Sequence, residues 1–208
     1  MLSFPSKAYV GRIMPKEAFY KRLTLNSELK VKFVSDVKRI VVEYKLTPET
    51  LNVEAGGSVT EILVLSVELK KQDFDCRIIE NIAKQNAHSL LFVLKYEGQA
   101  QMALYYSKLY KTEWLQQEDI TLEPKGLKLE DIWNGFVEQI AVLTALRIEH
   151  VELSIDEKLK RQEAILKLQK EIEKLERLAR NEKQPKKKFE LFQQLQDKKK
   201  KLVELQYD

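Results

Sequence analysis

Glu68 and Lys70 form the pair of residues in this chain that most resembles a catalytic motif. They stand two positions apart at the end of an apolar run, Thr60 to Leu69. Because side chains alternate along a strand, residues two apart face the same side of a sheet. With one further acid, Glu54 or Glu49, they can bind Mg²⁺ and activate a water molecule. The pattern therefore predicts a magnesium-dependent nuclease as one candidate function.

The same Glu-x-Lys triplet has a plain structural interpretation. The chain holds 36 Lys+Arg and 32 Asp+Glu among 208 residues, so such triplets arise often by chance. A motif without confirmed site geometry is a weak indicator of function. The alternative is a strand end exposed to solvent. The balance favours a protein that is not an enzyme and has no cofactor, with Mg²⁺ required only under the nuclease alternative.

Few other residues offer site chemistry. Cys76 is the single cysteine, which excludes a disulfide scaffold or a thiolate metal site within one chain. The two histidines, His88 and His150, are too few for a multi-histidine metal centre. The Gly56-Gly57 pair lacks the spacing of a phosphate-binding loop. With no apolar run long enough to span a membrane, the sequence predicts a soluble, cytoplasmic protein.

The elements that would position these residues form an α/β (α+β) body over residues 1–152. Runs rich in β-branched residues predict strands. Apolar residues at positions i, i+1, i+4 and i+5 predict a helix with one buried face. A strand, helix, strand order predicts two parallel strands, and a tight turn after Tyr96 predicts an antiparallel return. The result is a small mixed sheet flanked by helices. The expected strands are 39–46, 60–69, 90–96 and 100–107, and the expected helices are two within 15–37, one over about 73–86 and one over about 129–151.

Residues 153–208 predict a different structure, an antiparallel coiled-coil helical hairpin. Apolar residues recur at alternating spacings of three and four, which is the heptad pattern of a coiled coil. A polar, proline-broken segment from Arg180 to Lys188 separates the two runs, and Ser154 is placed to cap the first helix. The seam residues are Ile165, Leu168, Ile172, Leu175 and Ala179, then Leu191, Leu195, Leu202 and Leu205.

Additional apolar residues in the hairpin fall outside this seam. An isolated two-helix hairpin with few apolar layers is marginally stable, so these residues need a third surface. That surface can be the body, a second copy of the chain (a homo-oligomer) or a partner protein. The pattern therefore predicts a protein-protein interaction site. Its expected residues are Leu159, Leu166, Leu178, Phe189 and Phe192.

The hairpin is also the basic part of the chain. From Ser154 onward there are 16 Lys+Arg against 11 Asp+Glu, whereas residues 1–153 are nearly neutral. Lysine clusters can contact the phosphate backbone of DNA, although a solvated coiled-coil face gives the same pattern. A DNA-binding module is thus a further alternative. The candidate nucleic-acid contacts are Lys186, Lys187, Lys188, Lys198 and Lys199.

Several strings resemble a bacterial and archaeal domain-of-unknown-function family, number 4391 of that series. They run from Ile13 to Tyr20, from Lys45 to Asn52 and from Glu61 to Tyr96, and the turn Glu182-Lys183-Gln184 with Lys188 to Leu191 resembles the family's hairpin. Genes of this family tend to lie beside helicases and DNA methyltransferases of restriction-like or phage-defence clusters. The resemblance implies an accessory of a DNA restriction-modification or defence system that docks a helicase or methyltransferase. It implies no known activity.

Overall fold

The computed structural model describes residues 2, 4–142 and 153–207. Contacts divide the chain into two compact units, Met1–Ala141 and Val142–Asp208. The first unit is a mixed sheet with helices, and the second is a pair of long helices. The predicted α+β class and the predicted hairpin are both confirmed.

The first unit contains most of the elements. A single 3₁₀ turn at Ser6–Ala8 precedes the first strand. The strands are β1 (Tyr9–Met14), β2 (Val37–Leu46), β3 (Ile62–Leu69), β4 (Ser89–Tyr96), β5 (Gln99–Tyr106), β6 (Lys108–Lys111) and β7 (Leu115–Gln116). The helices are α1 (Lys16–Arg22), α2 (Ser27–Asp36), α3 (Pro48–Leu51), α4 (Arg77–Lys84) and α5 (Leu129–Ala141).

One sheet carries these strands in the order β1-β2-β3-β4-β5-β6, with β7 paired to β5. Only β3 and β4 are parallel, and they are joined through α4, as the strand, helix, strand order predicts. The other pairings are antiparallel. Strands β3 and β4 are central and buried along most of their length, which explains their near-continuous apolar sequences.

Helices cover both faces of the sheet. Leu29 and Phe33 of α2 and Ile78 and Ile82 of α4 belong to one core cluster with alternate residues of β3 and β4, Leu65 among them. Helix α5 contacts β5 and β6, and its residues Ile132, Phe136 and Ile140 are buried. Within the described ranges, no helix has the length and hydropathy that crossing a bilayer requires.

Local sequence explains where the helices begin. Asn26 Oδ1 accepts the backbone N–H of Leu29 at 2.7 Å, so Asn26 caps α2. At α4 the cap residue is Cys76, whose side chain makes no capping bond. The Asp75 carboxylate instead accepts the backbone N–H of Arg77 at 3.0 Å. The side-chain cap of α4 is therefore supplied by Asp75, one position before the cap residue.

Strand β1 and helix α3 were not expected from the sequence. Tyr9, Val10 and Ile13 of β1 are all exposed, so the strand lacks the alternation of buried and exposed residues that marks a strand. Gly11, at a φ of +62°, breaks its register with β2. The expected helix 129–151 is observed as α5 to Ala141, and residues 143–152 lie outside the described residues.

The second unit consists of α6 (Ile155–Asn181) and α7 (Pro185–Tyr207). Ser154 begins α6 with a capping box, in which its hydroxyl accepts the Glu157 N–H and the Glu157 carboxylate accepts the Ser154 N–H. Pro185 occupies the first position of α7, where a missing N–H costs nothing. Only three residues connect the helices, so they run antiparallel and contact each other.

Candidate functional site

Glu68, the proposed nuclease carboxylate, is already held by two cations. The Arg39 guanidinium donates a hydrogen bond to Glu68 Oε1, and Lys38 Nζ lies 3.6 Å from Glu68 Oε2. The Arg39 hydrogen bond lowers the pKa of Glu68 below its usual range; burial opposes this shift and Lys38 adds to it. These contacts describe a cross-strand ion pair, since Arg39 and Glu68 are also register partners in β2 and β3.

Lys70, the second member of the motif, closes the end of α2. Its backbone N–H donates to the Asp36 carbonyl at 2.8 Å, and its ammonium donates to the Val34 carbonyl at 2.9 Å. The last carbonyls of a helix lack partners within the helix, and a lysine there also meets the negative end of the helix dipole. Lys70 therefore has a structural role in this fold.

The third acid of the proposed nuclease site lies at the other end of the sheet. Leu69 pairs with Val37 at one end of β3, and Ile62 pairs with Leu46 at the other end. Glu49 and Glu54 follow β2 beyond that second end, and Ile62 at this end lies about 20 Å from Glu68 along β3. Across the part of the chain that the structure describes, no three His, Cys, Asp or Glu side chains are arranged to hold a metal ion. The structure does not bring the candidate nuclease residues together.

The string from Leu46 to Asn52 forms helix α3 with its own cap. The Thr47 N–H donates to Thr50 Oγ1 at 2.8 Å, and the Thr50 N–H donates to Thr47 Oγ1 at 3.3 Å. Asn52 ends the helix in the left-handed region, at φ +57°. The polar groups of this capping box bond to one another, which indicates a structural role for the string.

The hairpin has a filled apolar seam. Leu168, Ile172 and Leu195 are buried in one cluster, and Leu175, Leu202 and Leu205 pack against it. Lys198 stands at the heptad position between Leu195 and Leu202, where an apolar residue would be expected. It forms an ion pair with Glu171 at 2.6 Å, and Lys199 pairs with Glu176 at 2.8 Å.

Three of the five predicted partner-binding residues are exposed on the hairpin. Leu178 is 48% exposed, Phe189 63% and Phe192 45%. Leu166 is half-buried. Leu159 is 7% exposed, so it offers little surface to a partner. Val203, which was not among the predicted residues, is 52% exposed. It lies eleven residues, or about three turns, beyond Phe192.

Phe189, Phe192 and Val203 share one face of α7. Spacings of three and eleven residues return to the same side of an α-helix. We call these three residues the α7 stripe. Leu178 lies on the other helix, α6. The α7 stripe is the largest set of exposed apolar residues on one described helix of the second unit.

The five candidate nucleic-acid lysines divide into two groups. Lys198 and Lys199 are engaged in the interhelix ion pairs with Glu171 and Glu176. Lys186, Lys187 and Lys188 are exposed at the start of α7 and, among the described residues, form no ion pair. Of the five candidates, the three without an ion pair therefore lie at the tip of the hairpin, directly beside Phe189.

A family model described as a domain of unknown function, DUF4391, matches residues 2–202 of the chain. The chain belongs to this family. The match covers nearly the whole length, so body and hairpin together form the family's unit. Comparisons with curated proteins and with solved structures found no match.

A cavity of about 400 Å³ in the first unit of this DUF4391 protein was not expected from the sequence. Apolar side chains of α1, β3 and α4 form its wall, and the turn Gln85-Asn86-Ala87-His88 forms its polar rim. Gln85 accepts the Thr24 N–H at 2.7 Å, and His88 Nδ1 lies 3.8 Å from Glu61. Both rim side chains thus have partners within the fold, and no periodic pattern in the sequence signals a cavity built from such distant segments.

Proposed function

We propose that this chain is a non-enzymatic adaptor, an accessory subunit of a bacterial restriction-like or phage-defence system that docks a helicase or DNA methyltransferase through its hairpin. The genetic setting is what the family resemblance implies. The observation that carries the docking role is the exposure of Phe189 and Phe192 on a hairpin whose own seam is already filled.

Exposed phenylalanines on a helix are costly to leave in water. Full burial of such a side chain contributes about 1.5–3 kcal/mol, so two adjacent rings can anchor an interface. The seam residues Leu168, Ile172 and Leu195 already fill the inside of the hairpin. Phe189 and Phe192 therefore remain available to another molecule.

The chemistry around the α7 stripe favours one kind of partner surface. Lys186, Lys187 and Lys188 lie one turn before Phe189 and Phe192 and have no ion pair among the described residues. A basic group beside aromatic anchors is complementary to an amphipathic helix that presents an apolar stripe flanked by carboxylates. We assign the occupant as such an acidic amphipathic helix of the partner protein.

The test uses the full-length chain co-expressed with the helicase or methyltransferase encoded beside it. The double variant Phe189→Ser/Phe192→Ser should lower co-purification at least tenfold. The control variant Val31→Ser/Leu127→Ser removes two side chains of the first unit that are 68% and 74% exposed and should leave co-purification unchanged.

Two results would overturn the adaptor proposal. One is undiminished co-purification of the Phe189→Ser/Phe192→Ser variant with correct helical content by circular dichroism. The other is light scattering that shows a dimer of the unmodified chain and a monomer of the double variant. That second result would assign the α7 stripe to self-association.

A second candidate function, DNA binding, rests on Lys186, Lys187 and Lys188. Three uncompensated lysines on one helical turn can each neutralise a phosphate. The paired state of Lys198 and Lys199 confines this candidate contact to the hairpin tip. It is compatible with the adaptor role, because a docked helicase or methyltransferase acts on DNA.

A further inference from the structure

The only cysteine of the chain contacts a lysine that is distant in sequence. Lys111 Nζ lies 3.0 Å from Cys76 Sγ, across 35 positions of the chain. Cys76 is the residue before α4 and is partly buried, and Lys111 ends β6 with an exposed side chain. A nucleophilic sulfur and a nucleophilic nitrogen are thus held in direct contact by two separate elements of the first unit.

Both residues line a cavity of about 290 Å³ that also involves Gln101. Gln101 is 6% exposed, and its amide group donates to the Thr112 carbonyl at 2.6 Å. Its Oε1 is buried and accepts no hydrogen bond from any described residue. A buried acceptor of this kind is costly unless it is satisfied. Gln101 thus contributes to the cavity wall a side chain whose one acceptor lacks a partner among the described residues.

We propose that Cys76 and Lys111 form an oxidative modification site at which hydrogen peroxide links the two side chains through an S–N bond. In the first step, the Cys76 sulfur attacks one peroxide oxygen. The S–O bond forms, the O–O bond breaks, and the departing hydroxide takes up the thiol proton as water. The product is a sulfenic acid at Cys76.

In the second step, the Lys111 ammonium releases one proton to solvent, and its nitrogen attacks the sulfur of this sulfenic acid. The S–N bond forms, the S–O bond breaks, and hydroxide leaves with an amine proton as a second water. The sulfur is oxidised by two electrons, and the peroxide is reduced to two waters. Sulfenic acids condense with nearby nitrogen nucleophiles in this way, and the 3.0 Å contact places Lys111 first among them.

The linkage would behave as a covalent staple within the first unit. It closes the segment between Cys76 and Lys111, which includes β4 and β5 of the sheet. A cross-link that closes a loop of this length restricts the unfolded chain. The Tm of the protein should therefore rise by about 5–15 °C. A thiol reductant should cleave the S–N bond and reverse the rise.

The experiment treats the full chain with hydrogen peroxide and digests it with trypsin. An S–N link blocks cleavage after Lys111 and joins the peptide 72–77 to the peptide 109–125, with a mass lower by two hydrogen atoms than their sum. The linked species should disappear after reduction, and the Tm of the oxidised chain should exceed that of the reduced chain.

Two variants make the outcome decisive. Lys111→Arg keeps the positive charge and should yield only sulfenic, sulfinic or sulfonic acid at Cys76, with no rise in Tm. Lys108→Arg, the control on the same strand, should cross-link as the unmodified chain does. The proposal is overturned if no linked peptide forms, if a link retains an oxygen atom between sulfur and nitrogen, or if Cys76 links equally to other lysines.

Discussion

Lys71 Nζ lies 2.8 Å from Asp36 Oδ1, and the Asp36 side chain at that contact is fully buried. The same carboxylate accepts the Ser35 hydroxyl at 2.5 Å and the backbone N–H of Asp75 at 3.0 Å. Asp36 thus ties the end of α2 to the loop that precedes α4. It is the one buried carboxylate among the described residues.

Replacing Asp36 by asparagine should destabilise the first unit. The single amide oxygen can accept at most two of these three donors, so at least one donor loses its partner, and the Lys71 ammonium loses its counter-charge. We expect the free energy of unfolding to fall by about 2–4 kcal/mol, measured by urea denaturation followed by tryptophan fluorescence. Asp73→Asn, at an exposed position of the same loop, should change it by less than about 0.5 kcal/mol. Equal effects of the two variants would show that burial of Asp36 does not matter.

The stability of the protein should fall in acid, and Asp36 should account for part of that fall. Burial acts to raise the pKa of Asp36, but hydrogen bonds from Lys71, Ser35 and the Asp75 N–H outweigh it and hold the pKa below its usual range. The unfolded chain therefore binds the proton more readily. The stabilisation is complete above the unfolded pKa, about 4, and is lost as pH falls through the lower folded value.

The measurement is the Tm between pH 6 and pH 3 for the unmodified chain and for Asp36→Asn. The Tm of the unmodified chain should fall further on acidification than that of Asp36→Asn. The two curves of Tm against pH should therefore approach each other at low pH. Parallel curves would exclude Asp36 as a source of the acid sensitivity. Glu68 and Asp75, whose pKa values are lowered by hydrogen bonds from Arg39 and Arg77, should contribute the acid sensitivity that remains in the variant.

Truncating the hairpin seam should be far more damaging than truncating its surface. Ile172 is 7% exposed within the seam cluster, so Ile172→Ala should lower the stability of the hairpin by about 2–4 kcal/mol. Leu178→Ala on the same helix removes a side chain that is 48% exposed and should cost less than about 1 kcal/mol. Thermal unfolding of the full chain, followed by circular dichroism at 222 nm, compares the two variants. A similar loss for both would contradict the assigned seam.

If DNA contacts the hairpin, the contact should depend on the tip lysines. Changing Lys186, Lys187 and Lys188 to glutamine should reduce the slope of log K against log salt by about 2–3, since each neutralised phosphate contributes about 0.9. Changing Lys198 and Lys199 to glutamine is the matched control and should leave the slope nearly unchanged, because both are engaged with Glu171 and Glu176. Fluorescence anisotropy with a duplex at several salt concentrations provides the measurement. A larger change of slope on substitution of Lys198 and Lys199 than on substitution of the tip lysines would show that the tip is not the DNA contact.

The sequence predicted the elements whose burial follows a strict period. The stripe of Ile78, Ile79 and Ile82 identified α4, and the heptads identified both arms of the hairpin. It missed β1, because Tyr9, Val10 and Ile13 are exposed and Gly11 interrupts the strand. An edge strand of this kind is stabilised by its hydrogen bonds to β2, which leave no mark in the pattern of apolar residues.

The candidate sites were harder to predict than the fold. Glu68 and Lys70 are close in sequence, yet each bonds to a different element, Arg39 of β2 and the end of α2. Conversely, Cys76 and Lys111 are far apart in sequence and come into contact only through the sheet. Spacing along the chain informs on the face of one element, whereas a site assembled from several elements depends on topology.

Lys198 determines more than the local ion pair in which it takes part. Sliding one helix past the other by seven residues would realign the leucines of the seam but would separate Lys198 from Glu171 and Lys199 from Glu176. Such a slip would displace the end of the hairpin by about 10 Å. The two ion pairs halfway along the arms therefore favour one register of α6 against α7, the same register that the three-residue connection between the helices allows.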